Sequence, residues 1–125
     1  VGIFSSLFGN VSEVDSSKIE AEFETMLVQG ERIEKAFRLV RDLVVFTNKR
    51  LILVDKQGFT GKKKMYTSIP YRSVIRFSKE SQGHFDMDAE IKIWLSSTEQ
   101  PVSLEFSKDK NVHDVYQVLS TQILG

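Results

Sequence analysis

Between Leu43 and Asp55 the chain reads LVVFTNKRLILVD, and no other stretch limits the fold as strongly. Two apolar runs, Leu43 to Phe46 and Leu51 to Val54, flank the polar tetrad Thr47-Asn48-Lys49-Arg50. Val, Ile and Phe suit a pleated, buried surface, and Asn tolerates the positive φ of a tight hairpin turn. The stretch is expected to be the central β-hairpin of an antiparallel domain. Its arms are near-continuous apolar runs, which predicts burial on much of both faces.

The rest of the chain supplies partners for that hairpin. Ile3, Phe4, Leu7 and Phe8 have the spacing of one or two turns of amphipathic helix. So short a helix must dock, on its own domain, on a neighbouring subunit or on a membrane surface. A better helix is expected over Asp15 to Gln29. Ser17 and Glu20 form a capping box, Ile19, Phe23, Met26 and Leu27 line one face, and Gly30 ends it. From Glu31 the period becomes two, with Ile33, Phe37 and Leu39 alternating with charged residues and Lys35 interrupting the apolar face. Lys62 to Ile69, Val74 to Ser78, Ala89 to Leu95 and Val102 to Phe106 are further strands. Pro70 cannot continue a ladder, so Ile69 to Ser73 is a corner. With the hairpin arms that makes seven short strands. A last helix is capped by Asn111 and carries the stripe Val112, Val115, Tyr116, Leu119 and Ile123.

At 125 residues the chain is long enough for one domain with a core. No apolar run approaches the ~20 residues of a membrane-spanning helix, and no signal peptide is expected. Without Cys there is no disulfide framework, thiolate site or Cys nucleophile. A cytoplasmic location is the default expectation. The formal net charge of zero conceals a segregation. Residues 1–34 sum to −5, residues 35–76 to +9 and residues 77–125 to −4. A basic middle between acidic ends either attracts an anionic ligand or is neutralised by the ends, within one chain or between copies.

Taken together, FTNKRLI over 46–52, YTSIPY over 66–71, EIKIW over 90–94 and the closing helix resemble the bacterial pleckstrin-homology-like family. The likeness is to its small stand-alone members with extra N-terminal helices. It covers residues 30–125 as the domain proper, with residues 1–29 as the N-terminal helical segment. The resemblance implies a mainly β fold, a seven-stranded antiparallel bent barrel of two near-orthogonal sheets with a C-terminal capping helix. It implies no catalysis and no cofactor, and it implies assembly into homo-oligomeric rings. Related eukaryotic domains often bind phosphoinositides through a basic loop near the first hairpin. That K-x-n-K/R-x-R pattern has no clear counterpart here, so lipid binding is not carried over.

The residues offer few sites. Lys62, Lys63 and Lys64 follow a Gly-containing loop, and ammonium groups there could hold phosphates or an anionic membrane. A strand would, however, turn Lys63 away from its neighbours, and edge lysines commonly guard against aggregation. Lys49 and Arg50 at the hairpin tip are candidate partner contacts. Arg50 could equally order the turn by bonding carbonyls or a carboxylate. His84, Asp86 and Asp88 would share a face of an extended segment, the weak outline of a metal site, although ordinary polar surface is the commoner use of such a segment. There is no G-x-S-x-G, no Gly-rich phosphate cradle and no interleaving of aromatic and basic residues for nucleic acid. The expectation is a non-catalytic module that assembles with itself or meets another protein. The alternative is peripheral binding of anionic lipid through Lys62–Lys64 and the N-terminal helix.

Overall fold

The structure is a computed structural model that describes residues 16–40, 42–57, 63–81, 89–106 and 112–125. Ile3, Phe4, Leu7, Phe8, Lys62, His84, Asp86, Asp88 and Asn111 lie outside the described residues. The chain divides into two units after Ser68. The first holds helix α1 (Ser16–Phe23) and strands β1 (Ile33–Arg38), β2 (Leu43–Thr47), β3 (Arg50–Gln57) and most of β4 (Lys63–Pro70). The second holds β5 (Val74–Ser81), β6 (Ala89–Leu95), β7 (Val102–Phe106) and helix α2 (Val112–Leu124). The seven strands form two antiparallel sheets, in the order β1-β2-β3-β4 and β5-β6-β7.

In the first unit the hairpin is central, as its apolar arms require. Leu43 pairs with Val54, Val44 with Leu53, Val45 with Ile52 and Phe46 with Leu51. Both faces of β2 are buried. Val45 joins Ile52, Val54, Ala36 and the α1 residues Ile19 and Phe23 in one cluster. On the opposite face Phe46 meets Phe37 edge to face at 6.2 Å. The continuous runs are therefore explained by a helix laid over one face of the sheet. β1 carries a bulge between Ile33, opposite Thr47, and Lys35, opposite Phe46. One extra residue reverses the side-chain parity, which puts Ile33 on the face of Ala36 and α1 while Lys35 and Phe37 share the other; consecutive Ala36 and Phe37 are both buried because both faces of the sheet are buried here.

The helix expected over Asp15 to Gln29 is corrected: it ends at Phe23. Beyond it the Met26 and Leu27 amides both donate to the Phe23 carbonyl, at 2.8 and 3.1 Å. The Met26 carbonyl is turned to Arg50 instead of continuing the helix. A second turn follows, closed by Glu31 N–H on the Val28 carbonyl at 2.9 Å, with Gly30 at φ 81°. Gly30 thus serves this turn, where left-handed backbone excludes most side chains, and not the end of the helix. Met26 and Leu27 still pack against the α1 cluster, so helix-like spacing persists after the helix has ended.

In the second unit Pro70 ends β4 and a 3-10 turn, Tyr71–Ser73, follows with Tyr71 buried. β6 buries Ala89, Ile91 and Ile93 and turns Glu90, Lys92 and Trp94 to the other face. Pairing with β5 and β7 fixes the register, with Ile91 opposite Lys79 and Leu104. β5 has its own bulge at Ile75, which is 67% exposed. Helix α2 docks on β5 and β6 through Val112, Val115 and Leu119, and Tyr116 tilts against Phe77 at 5.2 Å.

Candidate functional site

The polar tip of the hairpin is organised by its first residue. The Thr47 hydroxyl accepts from the amides of Lys49 at 3.0 Å and Arg50 at 2.9 Å, an arrangement that closes a turn without glycine. Asn48 does not use the positive φ that Asn tolerates: among the described residues only Ser97, at 71°, takes one outside glycine. Asn48 instead serves as a bridge. Its Oδ1 accepts from Arg32 N–H at 2.8 Å and its Nδ2 donates to the Gly30 carbonyl at 3.0 Å.

Arg50 sits at the centre of the cluster. Its Nε donates to Glu31 Oε2 at 2.9 Å and its Nη2 to Oε1 at 3.0 Å. Nη2 also donates to the Met26 carbonyl at 2.6 Å, and Nη1 to the Ser68 hydroxyl at 2.9 Å. One guanidinium thereby joins the α1–β1 connection, β3 and β4. A planar fork with five N–H groups can do this; an ammonium cannot. The Glu31 side chain is fully buried. It accepts further from the Thr47 hydroxyl at 2.6 Å and the Val28 amide at 3.0 Å. Burial pushes its carboxyl up. Hydrogen bonds from Arg50, Thr47 and Val28, with the Arg50 charge, outweigh burial and hold it at about 2. Arg50 thus fulfils the reading in which it orders the turn through a carboxylate and a carbonyl.

The basic stretch after it separates in the way a strand requires. Lys64 and Tyr66 share the face of β4 that looks to α1. There Glu22 pairs with Lys64 at 3.1 Å and accepts from the Tyr66 hydroxyl. Burial first, then the hydrogen bond to Glu22 and its charge, push the Tyr66 phenol up to about 12. Lys63 lies on the opposite face with Met65 and Thr67, all three exposed. Lys49 is likewise exposed at the hairpin tip. Of the candidate cations described, Lys49 and Lys63 face solvent while Arg50 and Lys64 are held by glutamates.

Two features of the second unit had no counterpart in the sequence reading. Arg76 lies over the Trp94 ring at 4.1 Å. Lys79 lies over Tyr116 at 5.1 Å, with its ammonium 2.8 Å from Nδ1 of the exposed His113. Alternation would have placed Glu90 and Trp94 on one face of β6, but only the register shows what stands opposite them. Glu80, Glu90 and Glu105 form a single rung across β5, β6 and β7.

Comparison with known proteins bears on both units. The model of the bacterial PH domain family matches residues 2–123. The chain is 51% identical over 121 residues to the uncharacterized protein YjqA of Bacillus subtilis (strain 168), covering 96% of this chain and 97% of that protein. Its structure is similar to a pleckstrin homology domain from Shewanella amazonensis SB2B, with a TM-score of 0.85 and 45% identity over 99% of this chain and 100% of that one. A second pleckstrin-homology protein, from Shewanella loihica PV-4, matches with a TM-score of 0.77 and 38% identity, covering 90% of this chain and 96% of that one.

Proposed function

The chain belongs to the bacterial PH domain family, and from that premise we propose that it is a non-catalytic, cytoplasmic interaction module that assembles with copies of itself into a ring. One observation carries this reading. The best-bonded polar cluster, around Arg50 and Glu31, is directed inward and joins elements of the fold. Exposed charges of both signs remain on each unit, among them Lys49 at the hairpin tip and Lys63 on the terminal strand β4 in one, and Glu80 and Glu105 on the terminal strands β5 and β7 in the other. Unlike surfaces on one chain favour a heterologous contact, which closes into a ring when the rotation permits. Terminal strands also carry backbone groups that a neighbouring copy can satisfy.

Anionic lipid is the second reading, favoured by the exposure of Lys49 and Lys63 and weakened by the pairing of Lys64 with Glu22. Light scattering over a range of concentrations, alongside co-sedimentation with vesicles rich in anionic lipid, separates the two. Self-assembly predicts a mass above 14.3 kDa without lipid. A monomeric mass at every concentration would remove the proposal, and co-sedimentation lost on Lys49→Glu/Lys63→Glu would then put lipid in its place.

A further inference from the structure

We propose that Lys79 is a site of N-acylation by small activated acyl donors, acyl phosphates or acyl thioesters, with His113 as the base that takes its proton. This goes beyond the self-assembly reading and does not depend on it.

The pair is built within the second unit alone. Phe77 and Lys79 lie two residues apart on β5 and so share a face. Helix α2 docks on that face, where Tyr116 tilts against Phe77 at 5.2 Å. His113 precedes Tyr116 by three residues, which places both on one side of the helix. Lys79 meets both. Its ammonium is 5.1 Å from the centre of the Tyr116 ring and 2.8 Å from His113 Nδ1. An ammonium only donates, so this hydrogen bond makes Nδ1 the acceptor and leaves the ring proton on Nε2. Lys79 and His113 are both exposed, within reach of a small molecule in solution.

The nature of the partner sets Lys79 apart. Lys64 and Lys92 are met by the carboxylates of Glu22 and Glu90. A carboxylate stabilises the charged amine and keeps its proton in place. Lys79 makes no ion pair with a described residue and is met by an imidazole instead. An ammonium has no lone pair and becomes a nucleophile only after losing a proton. A nucleophile and a base within about 2.6–3.2 Å is the arrangement that supplies this loss. In the step, Nζ passes one proton to Nδ1, and the freed lone pair attacks the acyl carbonyl carbon. A C–N bond forms. The bond from that carbon to the donor's oxygen or sulfur breaks, and phosphate or thiolate leaves with the electron pair. The nitrogen then sheds its second proton to water, as His113 sheds the first. The Tyr116 ring favours the charged amine and opposes this step; what it contributes is position, holding Nζ against Nδ1. The product amide is neutral, so acylation removes the cation that lies over Tyr116 between β5 and α2.

The test incubates the full chain with acetyl phosphate and, separately, with a small acetyl thioester, and follows each lysine by peptide mass spectrometry. Lys49 and Lys63, exposed and without an ion pair among the described residues, are the internal references. Lys79 is expected to acylate about tenfold faster than either, short of the ~10²–10⁴-fold that an organised catalytic base supplies. His113→Gln, an exposed change to a good helix former, should bring Lys79 down to the references and leave theirs unchanged. In urea sufficient to unfold the chain, the excess at Lys79 should vanish, which ties it to the folded geometry. An excess with one donor alone assigns that donor class, and an excess with both assigns the activated acyl group in general. Equal rates at the three lysines of the folded wild type, or an excess at Lys79 that survives His113→Gln or unfolding, would overturn the assignment.

Discussion

Removing the Arg50 side chain would leave a carboxylate, Glu31, fully buried without its cation. Breaking a buried pair from one side costs about 3–5 kcal/mol, so Arg50→Ala should lower the urea midpoint by the equivalent of that amount. Arg50→Lys is expected to recover only a minor part, since one ammonium cannot serve Glu31, Met26 and Ser68 together. Full recovery by lysine would contradict the geometry. The same carboxylate sets a pH dependence. Folding lowers the Glu31 carboxyl from 4.5 to about 2. A group lowered by folding adds stability above its unfolded value, and that stability is lost as pH falls through the folded one. The difference in stability between wild type and Glu31→Gln should therefore be largest above about pH 4.5 and shrink towards pH 2. Urea unfolding at a series of pH values reads this directly, and a constant difference would argue that another group is responsible. Little of this cluster was visible in the sequence. Thr47 three residues before Arg50 is a turn signal, but Glu31 and Arg50 are joined by folding and not by any spacing along the chain.

Among the elements, strands were legible because their burial has period two and survives any tertiary arrangement. β6 and β7 occur over the residues where alternation placed them. β1 was legible in place but not in parity, since a bulge is a property of pairing with β2 and leaves no mark in β1 alone. The length of α1 was overread for a physical reason. Met26 and Leu27 pack on the same cluster as Phe23, so their spacing reads as helix, while the Met26 carbonyl has left the helix for Arg50. The helix is nonetheless what makes the hairpin buried on both faces. Phe23 is fully buried against that cluster and meets Tyr66 edge to face at 5.7 Å. Phe23→Ala should cost about 3–5 kcal/mol and raise amide exchange in β2 and β3 together. Tyr66→Phe removes only a hydroxyl from Glu22, which keeps Lys64. Its expected cost is about 0.5–1.5 kcal/mol. A larger loss for Tyr66→Phe than for Phe23→Ala would mean that polar contacts, and not packing, hold α1 in place.

At the scale of the whole molecule, neutrality results from separated charges of opposite sign, and the fold sorts those charges further. Arg50 and Lys64 are directed to glutamates of their own unit, while Lys49 and Lys63 in one unit and Glu80 and Glu105 in the other are among the exposed charges of both signs that each unit keeps. The segregation itself was legible in the sequence. Which charges remain available was not, because that depends on strand parity and on partners far away in the chain. Association through such surfaces must respond to ionic strength, since exposed charges are screened over about 10 Å at 0.1 M salt and about 3 Å at 1 M. Sedimentation velocity of the wild-type chain from about 0.05 to about 1 M salt is the most direct test. The account predicts an assembly of several 14.3 kDa copies at the low end that dissociates progressively as salt rises. A monomer throughout, or an assembly indifferent to salt, would contradict it.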